Sequence, residues 1–496
     1  MTRPVPLWLL LVLQTAVSAA SLVVEIVAGR MLAPYVGMSL YTWTSVIAVV
    51  LAGFSAGHWH GGRLAEREAA PALAATGWAL VAAGATTALA SGILHLLAAP
   101  VLGMVGHPVW GIAVLATLVF FLPSYFAGIP APVLAKIAVT GPGPAGRALG
   151  AVFAAGAFGA IAGTLLAGFL FISWLGTAWT LTVVTLTYLV SALICLRLGR
   201  ARPVAGVGAG LLLLALAGLG LAAPRDCTRE SRYFCIRTVD VSSDPADPVH
   251  LMVIDHLGHG ISAQSKPTVM FTEHGAMLDA LARIRAPEGF RSFFIGGGSY
   301  SVPRAFATRN TGPITVAEID PEVTEIAARD FWFDPASARV LHEDARRALL
   351  TRPEERYDVI IGDAFTDVAV PAHLVTREFF QLARDRLAPG GTYLMNVIDY
   401  ENRLDALGAL VRTLREVFPV VEVWTVEQRP EPGARMVFVV AAGDSETPAA
   451  SFTVPAPERT TFGALADGWV IALADRSDLV LTDDYAPIDR LIGRPD

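Results

Sequence analysis

Charge is scarce in this sequence, and scarcest where the chain begins. Only 16% of the 496 residues are charged, too few for an ordinary soluble enzyme of this length. The first 224 residues hold three acids, Glu25, Glu66 and Glu68, against nine Arg and Lys, a net of +6. The remainder takes the other 28 of 37 basic and 41 of 44 acidic residues, a net of −13. Cysteine is almost absent as well, with three in all, too few for a disulfide-built scaffold. No basic patch interleaves with aromatics in either half, which excludes nucleic acid as a partner. Nothing in the sequence calls for a bound metal.

What fills the first half is apolar. A bilayer core about 30 Å thick needs roughly 20 apolar residues in a helix. Seven stretches qualify, near 7–29, 41–60, 72–97, 109–130, 148–171, 177–197 and 204–223. The first is too long for a signal peptide, and it contains Glu25 and runs on to Arg30 without a cleavage site. Residues 1–224 are therefore expected to form an all-α multi-pass bundle whose partner is the lipid bilayer. Pro123, Pro130 and Pro132 should break the fourth span and continue it as a second short helix. Gly53, Gly57 and Gly61, and again Gly159 and Gly163, recur every four residues. That stripe serves close helix packing or lines a passage. Glu25 is the one acid well inside a span, either paired with Arg30 or another helix, or functional. His58 and His60, two residues apart, point to different helix faces and suit a helix end rather than a metal.

Positive charge gathers in alternate loops: Arg3, then Arg63 and Arg67, then Lys136 and Arg147, then Arg197, Arg200 and Arg202. By the positive-inside rule those loops are cytoplasmic, and seven spans place the second half outside. A doubly crossing fourth segment reverses the parity, so the side stays open. Cys227 and Cys235 are either a disulfide, suiting an oxidising compartment, or two unrelated thiols.

From residue 290 onward, strand and helix signals alternate: "RSFFIGGG", "PITVAEID", "ARVLHED" and "YDVIIGDAF", each followed by a helical stretch. This predicts an α/β doubly wound, Rossmann-like domain over 290–496. Residues 225–289 should form a small β segment and a linking helix, and "VVEVWTV" and "RMVFVVAA" a closing hairpin. Ligands of such sheets sit at the carboxyl ends of the strands. There the sequence places Gly296, Gly297 and Gly298, then Glu318 and Asp320, then Asp344, then Asp363. Glu318 lies 20 residues after Gly298, the spacing that suits ribose hydroxyls. Asp320 and Asp344 suit helix caps equally well. A dinucleotide loop would carry glycine where Ser301 stands, so adenosine without a pyrophosphate fits better, pointing to an S-adenosyl compound.

The motifs "FFIGGGSYSVPRAF", "VAEIDPEVTEIA", "HEDARRAL" and "YDVIIGDAF" resemble those of spermidine synthases, the aminopropyltransferases. "DAFTDVAVPAHLVTREFF" and "LTDDYAPID" further resemble multi-pass bacterial proteins that fuse a transporter-like bundle to a spermidine synthase. The resemblance implies a bacterial inner-membrane location, with cofactor supply favouring a cytoplasmic active domain. It implies S-adenosylmethionine or its decarboxylated form as substrate, with no tightly bound cofactor. A polyamine is the implied acceptor and methylthioadenosine the implied product. A homo-oligomer is compatible with it.

By the same resemblance Gly296 to Gly298, with Ser299, lie beside the methionine-derived tail. Glu318 and Asp320 serve the ribose side, Asp344 and Ala345 the adenine, and Asp363 takes the proton of the attacking amine. The chain departs from the pattern at Ser299, where the family has an acid, and at Tyr300, where it has glycine. The second acid of the D-x-x-D loop falls on Thr366, with Asp367 one residue late. Tyr300 is then expected to close space on the amine side, or to pack over the helix start. His274 and His373 are candidates for contacting substrate or orienting Asp363, or are surface histidines. Two rival functions stay open. One is a cyclising or lyase-type enzyme needing no external amine; the other is a polyamine or nucleoside transporter with a non-catalytic binding domain.

Overall fold

Backbone polar groups in hydrocarbon must find their partners within the chain, which leaves helices as the simplest way to cross. The computed structural model describes residues 5–223, 225–365 and 370–492. It divides into two units, Met1–Cys235 and Ile236–Asp496.

The first unit is helical: α1 (Leu7–Val36), α2 (Leu40–Ala65), α3 (Ala69–Met104), α4 (Pro108–Gly128), α5 (Pro130–Val139), α6 (Ala145–Leu165), α7 (Gly176–Leu198) and α8 (Pro203–Ala222). Among the described residues, six helical stretches are long and apolar enough to cross a membrane, so this is a multi-pass membrane region by length and composition. The expected count was seven. The difference lies in 148–171 and 177–197, which fall within one apolar stretch of 54 residues, Ala145–Leu198. At 1.5 Å per residue that is roughly 80 Å, well over two bilayer cores. The stretch is π-wound over Leu166–Leu175, and Gly176 then leaves the helical region at φ 71°, ψ 176°. The fourth span does break as expected, between α4 and α5 at Ile129–Pro130.

The glycine stripes are packing surfaces. A Cβ on Gly57 would lie 2.1 Å from the Tyr125 carbonyl oxygen, and one on Gly61 2.3 Å from that of Ile129. Gly159 and Gly163 meet the Thr15 and Ala19 carbonyls of α1 in the same way, both at 2.3 Å. Arg30 does not pair with Glu25. Its guanidinium donates to the backbone carbonyls of Ser231 (2.8 Å), Phe234 (3.1 Å) and Tyr233. Glu25 has no hydrogen bond or ion pair among the described residues. Cys227 and Cys235 form a disulfide, and Cys195 is a buried thiol.

The second unit opens with three antiparallel strands, β1 (Cys235–Asp240), β2 (Val249–Ile254) and β3 (Leu257–Ala263). Helix α9 (Glu273–Arg285) leads into the main sheet. Its parallel part comprises β4 (Ser292–Ile295), β5 (Ile314–Ala317), β6 (Arg339–Leu341), β7 (Tyr357–Gly362) and β8 (Leu387–Tyr400). Helices α10 (Ser301–Arg309), α11 (Pro321–Asp330), α12 (Ala345–Thr351) and α13 (Arg377–Arg386) connect them. After α14 (Asp405–Arg415) the sheet ends antiparallel, with β9 (Val420–Val426), β10 (Arg435–Gly443), β11 (Ser451–Val454) and β12 (Thr460–Ala464). The spatial order is β11-β12-β9-β10-β8-β7-β4-β5-β6. The β9–β10 hairpin pairs Val420 with Gly443, as its alternation suggests. Pro389, Gly390 and Gly391 sit inside β8, where the pairing with β7 shifts register and Gly390 takes φ 75°.

The order reverses between β4 and β7, each a parallel neighbour of the other. A doubly wound sheet opens its crevice at such a switch point, above the strands' carboxyl ends. Gly296 follows β4 and Asp363 follows β7, so the topology alone brings the loop and the acid together.

The membrane stripes give a matched test. Gly61→Ala should lower the thermal stability of the detergent-solubilised protein. Gly62→Ala, whose Cβ would meet nothing within 4 Å, should leave it unchanged or slightly higher, because alanine favours helix by about 1 kcal/mol. Equal effects from the two substitutions would contradict the packing role.

Candidate active site

The loop after β4 is shaped by its glycines. Gly296 takes φ 90°, and a side chain there would run into the Asp363 carbonyl oxygen at 2.9 Å. Gly298 is left-handed at φ 51° against the His259 carbonyl. Only glycine accepts these positions without strain. The loop and the end of β7 are therefore locked in contact, and the Asp363 N–H donates to the Ile295 carbonyl at 3.0 Å.

Tyr300 lies beneath this loop. Its ring is fully buried, stacked on Phe333 with centroids 4.2 Å apart, and its hydroxyl shares a hydrogen bond with Thr324 Oγ1 at 2.7 Å. It passes so close under Gly297 that a Cβ there would sit 2.2 Å from the ring. Of the two readings of Tyr300, closing space on the amine side or packing over the helix start, the ring's contacts with Phe333 and Thr324 describe packing at the helix start. Ser299, also buried, shares a hydrogen bond with Ser301 Oγ at 2.6 Å, and Ser301 continues to Ser262 Oγ at 3.0 Å.

Glu318 ends β5 against the loop. Its carboxylate accepts from the N–H of Gly297 at 2.8 Å and from the N–H of Asp320 at 2.9 Å. Burial pushes it up to about 7, against the pull of those backbone donors. Asp320 turns away to cap α11, accepting from the Glu322 N–H at 3.0 Å. Asp344 likewise caps α12 through the Arg347 N–H at 2.9 Å, and its second oxygen meets His373 Nε2 at 2.7 Å. That bond holds Asp344 below the usual carboxylate range. His373 is thus a partner of Asp344 rather than of Asp363. Ala345, the first residue of α12, is buried beside it.

Asp363 accepts from Asn396 Nδ2 at 2.9 Å. Burial raises it above the ordinary carboxylate value, offset by the nearby His274 and by the Asn396 bond. Asn396, on β8, is almost fully buried and escaped the sequence reading. Its signal was a lone amide in the apolar run "YLMNVI", where a buried polar group needs a partner. Beside Asp363 lies a cavity of about 30 Å³ lined by Gly296, Gly297, Ser299, Ser301, Thr272, His274 and His259. His259 was also missed. It comes from β3, and burial together with neighbouring His274 and His256 pushes it down to about 4, so it is neutral. Asp367 falls at 366–369, outside the described residues.

Residues 276–451 match the family described as "Spermine/spermidine synthase domain". The C-terminal part of this chain is a domain of that family, attached to a region of apolar helices. Among similar proteins, the "Polyamine aminopropyltransferase" of Vibrio vulnificus is 32% identical over 155 residues, 30% of this chain and 50% of that protein. The "N-terminal histidine N-methyltransferase" of Emericella nidulans is 29% identical over 180 residues, 35% of this chain and 32% of that protein. The chain therefore spans half or less of the length of these relatives. A solved structure described as a probable spermidine synthase from Corynebacterium glutamicum covers 55% of this chain and 100% of its own, at 21% identity and a TM-score of 0.45.

Because Glu318 keeps its proton until about pH 7, hydroxyl-donating ligands should bind it better as it ionises. Methylthioadenosine affinity should rise about tenfold from pH 6 towards a plateau above pH 7.5. In Glu318→Gln it should be weaker by roughly 10- to 100-fold and flat across that range. Calorimetry at four pH values reads both.

Proposed function

We infer that the C-terminal unit is an alkyltransferase that binds S-adenosylmethionine or its decarboxylated form and breaks a carbon–sulfur bond of the sulfonium. The glycine loop holds the methionine-derived tail, Glu318 the ribose hydroxyls, and Asp344 the adenine side. An amine lone pair attacks the sulfonium-bound carbon. The carbon–sulfur pair leaves with sulfur, giving neutral methylthioadenosine, and the amine's proton passes to Asp363. The sulfonium is already a good leaving group, so in-line positioning and a base are the help required. The observation that carries this reading is Asp363 at the sheet's switch point, raised in pKa and tethered by Asn396. A polyamine is the acceptor suggested by the relatives' names, and the membrane setting is that of the apolar helices.

One observation favours a second reading. The space beside Asp363 has the size of a water or two, and its described lining offers imidazoles and hydroxyls but no further carboxylate. A diamine needs a charge-assisted partner for each ammonium. This favours water, or the sulfonium compound's own carboxylate or amine, as nucleophile, with Asp363 again accepting the proton where one is released.

Incubation of the full chain with each S-adenosyl compound, with and without putrescine, separates the two readings by mass spectrometry. Methylthioadenosine that depends on putrescine supports the first, and methylthioadenosine formed equally without it supports the second. In either case Asp363→Asn should cut turnover at least about 100-fold while leaving nucleoside binding within a few-fold. Asn396→Ala should cost about tenfold in kcat. Full activity of Asp363→Asn would overturn the assignment.

A further inference from the structure

The second unit holds a pocket of about 370 Å³ lined by α9, β11 and the residues after β11. That volume falls within the roughly 300–1,000 Å³ of small-molecule sites. One wall is a single face of α9, where Ala276, Asp279, Ala280 and Arg283 follow the three- and four-residue spacing of a helical stripe. The two alanines leave the space. Phe452 of β11 adds an apolar wall and is itself held by the rings of Trp424 and Phe462, with centroids 5.4 and 5.5 Å away.

The charge of this pocket opposes that of the chain around it. Of the lining residues only Arg283, Arg309 and Asp279 ionise, a net of +1, whereas residues 225–496 carry −13. Asp279 is almost fully buried, and both of its oxygens are taken. Arg309 Nη1 donates to one at 2.5 Å and Arg283 Nη2 to the other at 2.8 Å. Arg309 also donates to the Thr268 carbonyl at 2.9 Å, which ties the end of α10 to the segment before α9. One guanidinium is enough to neutralise Asp279, and Arg309 provides it. Arg283 is the surplus cation. Among the described residues it bonds only Asp279, so most of its five N–H donors are unused, beside a largely apolar surface.

We propose that this pocket binds a small organic monoanion, a carboxylate on an apolar body. The carboxylate pairs with Arg283, and the body lies against Ala276, Ala280 and Phe452. A planar guanidinium suits a carboxylate because two parallel N–H···O bonds can form at once. A dianion such as phosphate is a poorer fit, because the lining offers one uncompensated positive charge and otherwise apolar contact. A cation is repelled by the same charge. This pocket and the cavity beside Asp363 share no lining residue, so the site does not depend on the alkyl-transfer chemistry.

The test uses the full chain in lipid nanodiscs, with empty nanodiscs as the blank, and four probes: 4-phenylbutyrate, 4-phenylbutanol, 4-phenylbutylamine and inorganic phosphate. Phenylbutyrate should bind saturably, at least about tenfold tighter than each of the other three. Arg283→Gln should bring its affinity to within about threefold of the alcohol's, with the alcohol affinity and the unfolding temperature unchanged. Arg283→Lys, which keeps the charge, should retain part of the preference. Ala280→Leu, which fills the space without touching the charges, should weaken carboxylate and alcohol alike. Equal binding of carboxylate and alcohol, tighter binding of the amine or of phosphate, an unchanged carboxylate affinity in Arg283→Gln, or no saturable binding would each overturn the proposal.

Discussion

The second unit depends on one close contact, the backbone of Gly296 against that of Asp363. Where the strand order reverses, two neighbouring parallel strands must end together and their loops diverge. Here the divergence leaves no room for a β-carbon at the first loop residue, which takes a conformation only glycine tolerates. The contact fixes a run of backbone amides beside a carboxylate. Glu318 then accepts from one of those amides, joining a third strand end to the same point. Each acid is held by a neighbour: Glu318 by Gly297, Asp363 by Asn396 and Asp344 by His373.

Burial at this point produces electrostatic consequences in one direction. Glu318 and Asp363 are both pushed up towards the protonated form, while His259 is pushed down to neutrality. Glu318, at about 7, is therefore only partly ionised near neutral pH, which lowers the charge of the site. On the proposed reading, that suits a cationic sulfonium whose charge disappears during alkyl transfer. It suits a highly charged acceptor less well. Asp344, by contrast, stays ionised beside His373, so the acids at the strand ends are not equivalent.

Much of this was legible in the sequence for physical reasons. Twenty-residue apolar runs have few other uses, and strands alternating with helices force a parallel sheet whose ends carry the ligands. Glu318 stood out by its place at a strand end 20 residues after Gly298, and Asp363 by its place at the end of another apolar strand. Tyr300 kept two readings because a sequence gives a residue's place in a loop and not the side on which its ring lies. His373 turned to Asp344 because two separate loops converge there, which spacing does not encode. Asn396 and His259 sit on strands far from the motifs and meet the site only through the fold. In the helical unit the break at Pro130 followed from proline's chemistry. The long stretch from Ala145 to Leu198 shows that hydropathy alone does not count crossings.

The central claim is that converging strand ends grip an adenosine carrying a sulfur substituent. A structure of the full chain with methylthioadenosine tests it most directly. The account predicts the ribose hydroxyls within hydrogen-bonding distance of Glu318 and the thioether sulfur directed towards Asp363. A nucleoside bound away from the loop, or bound with its ribose facing neither acid, would contradict it.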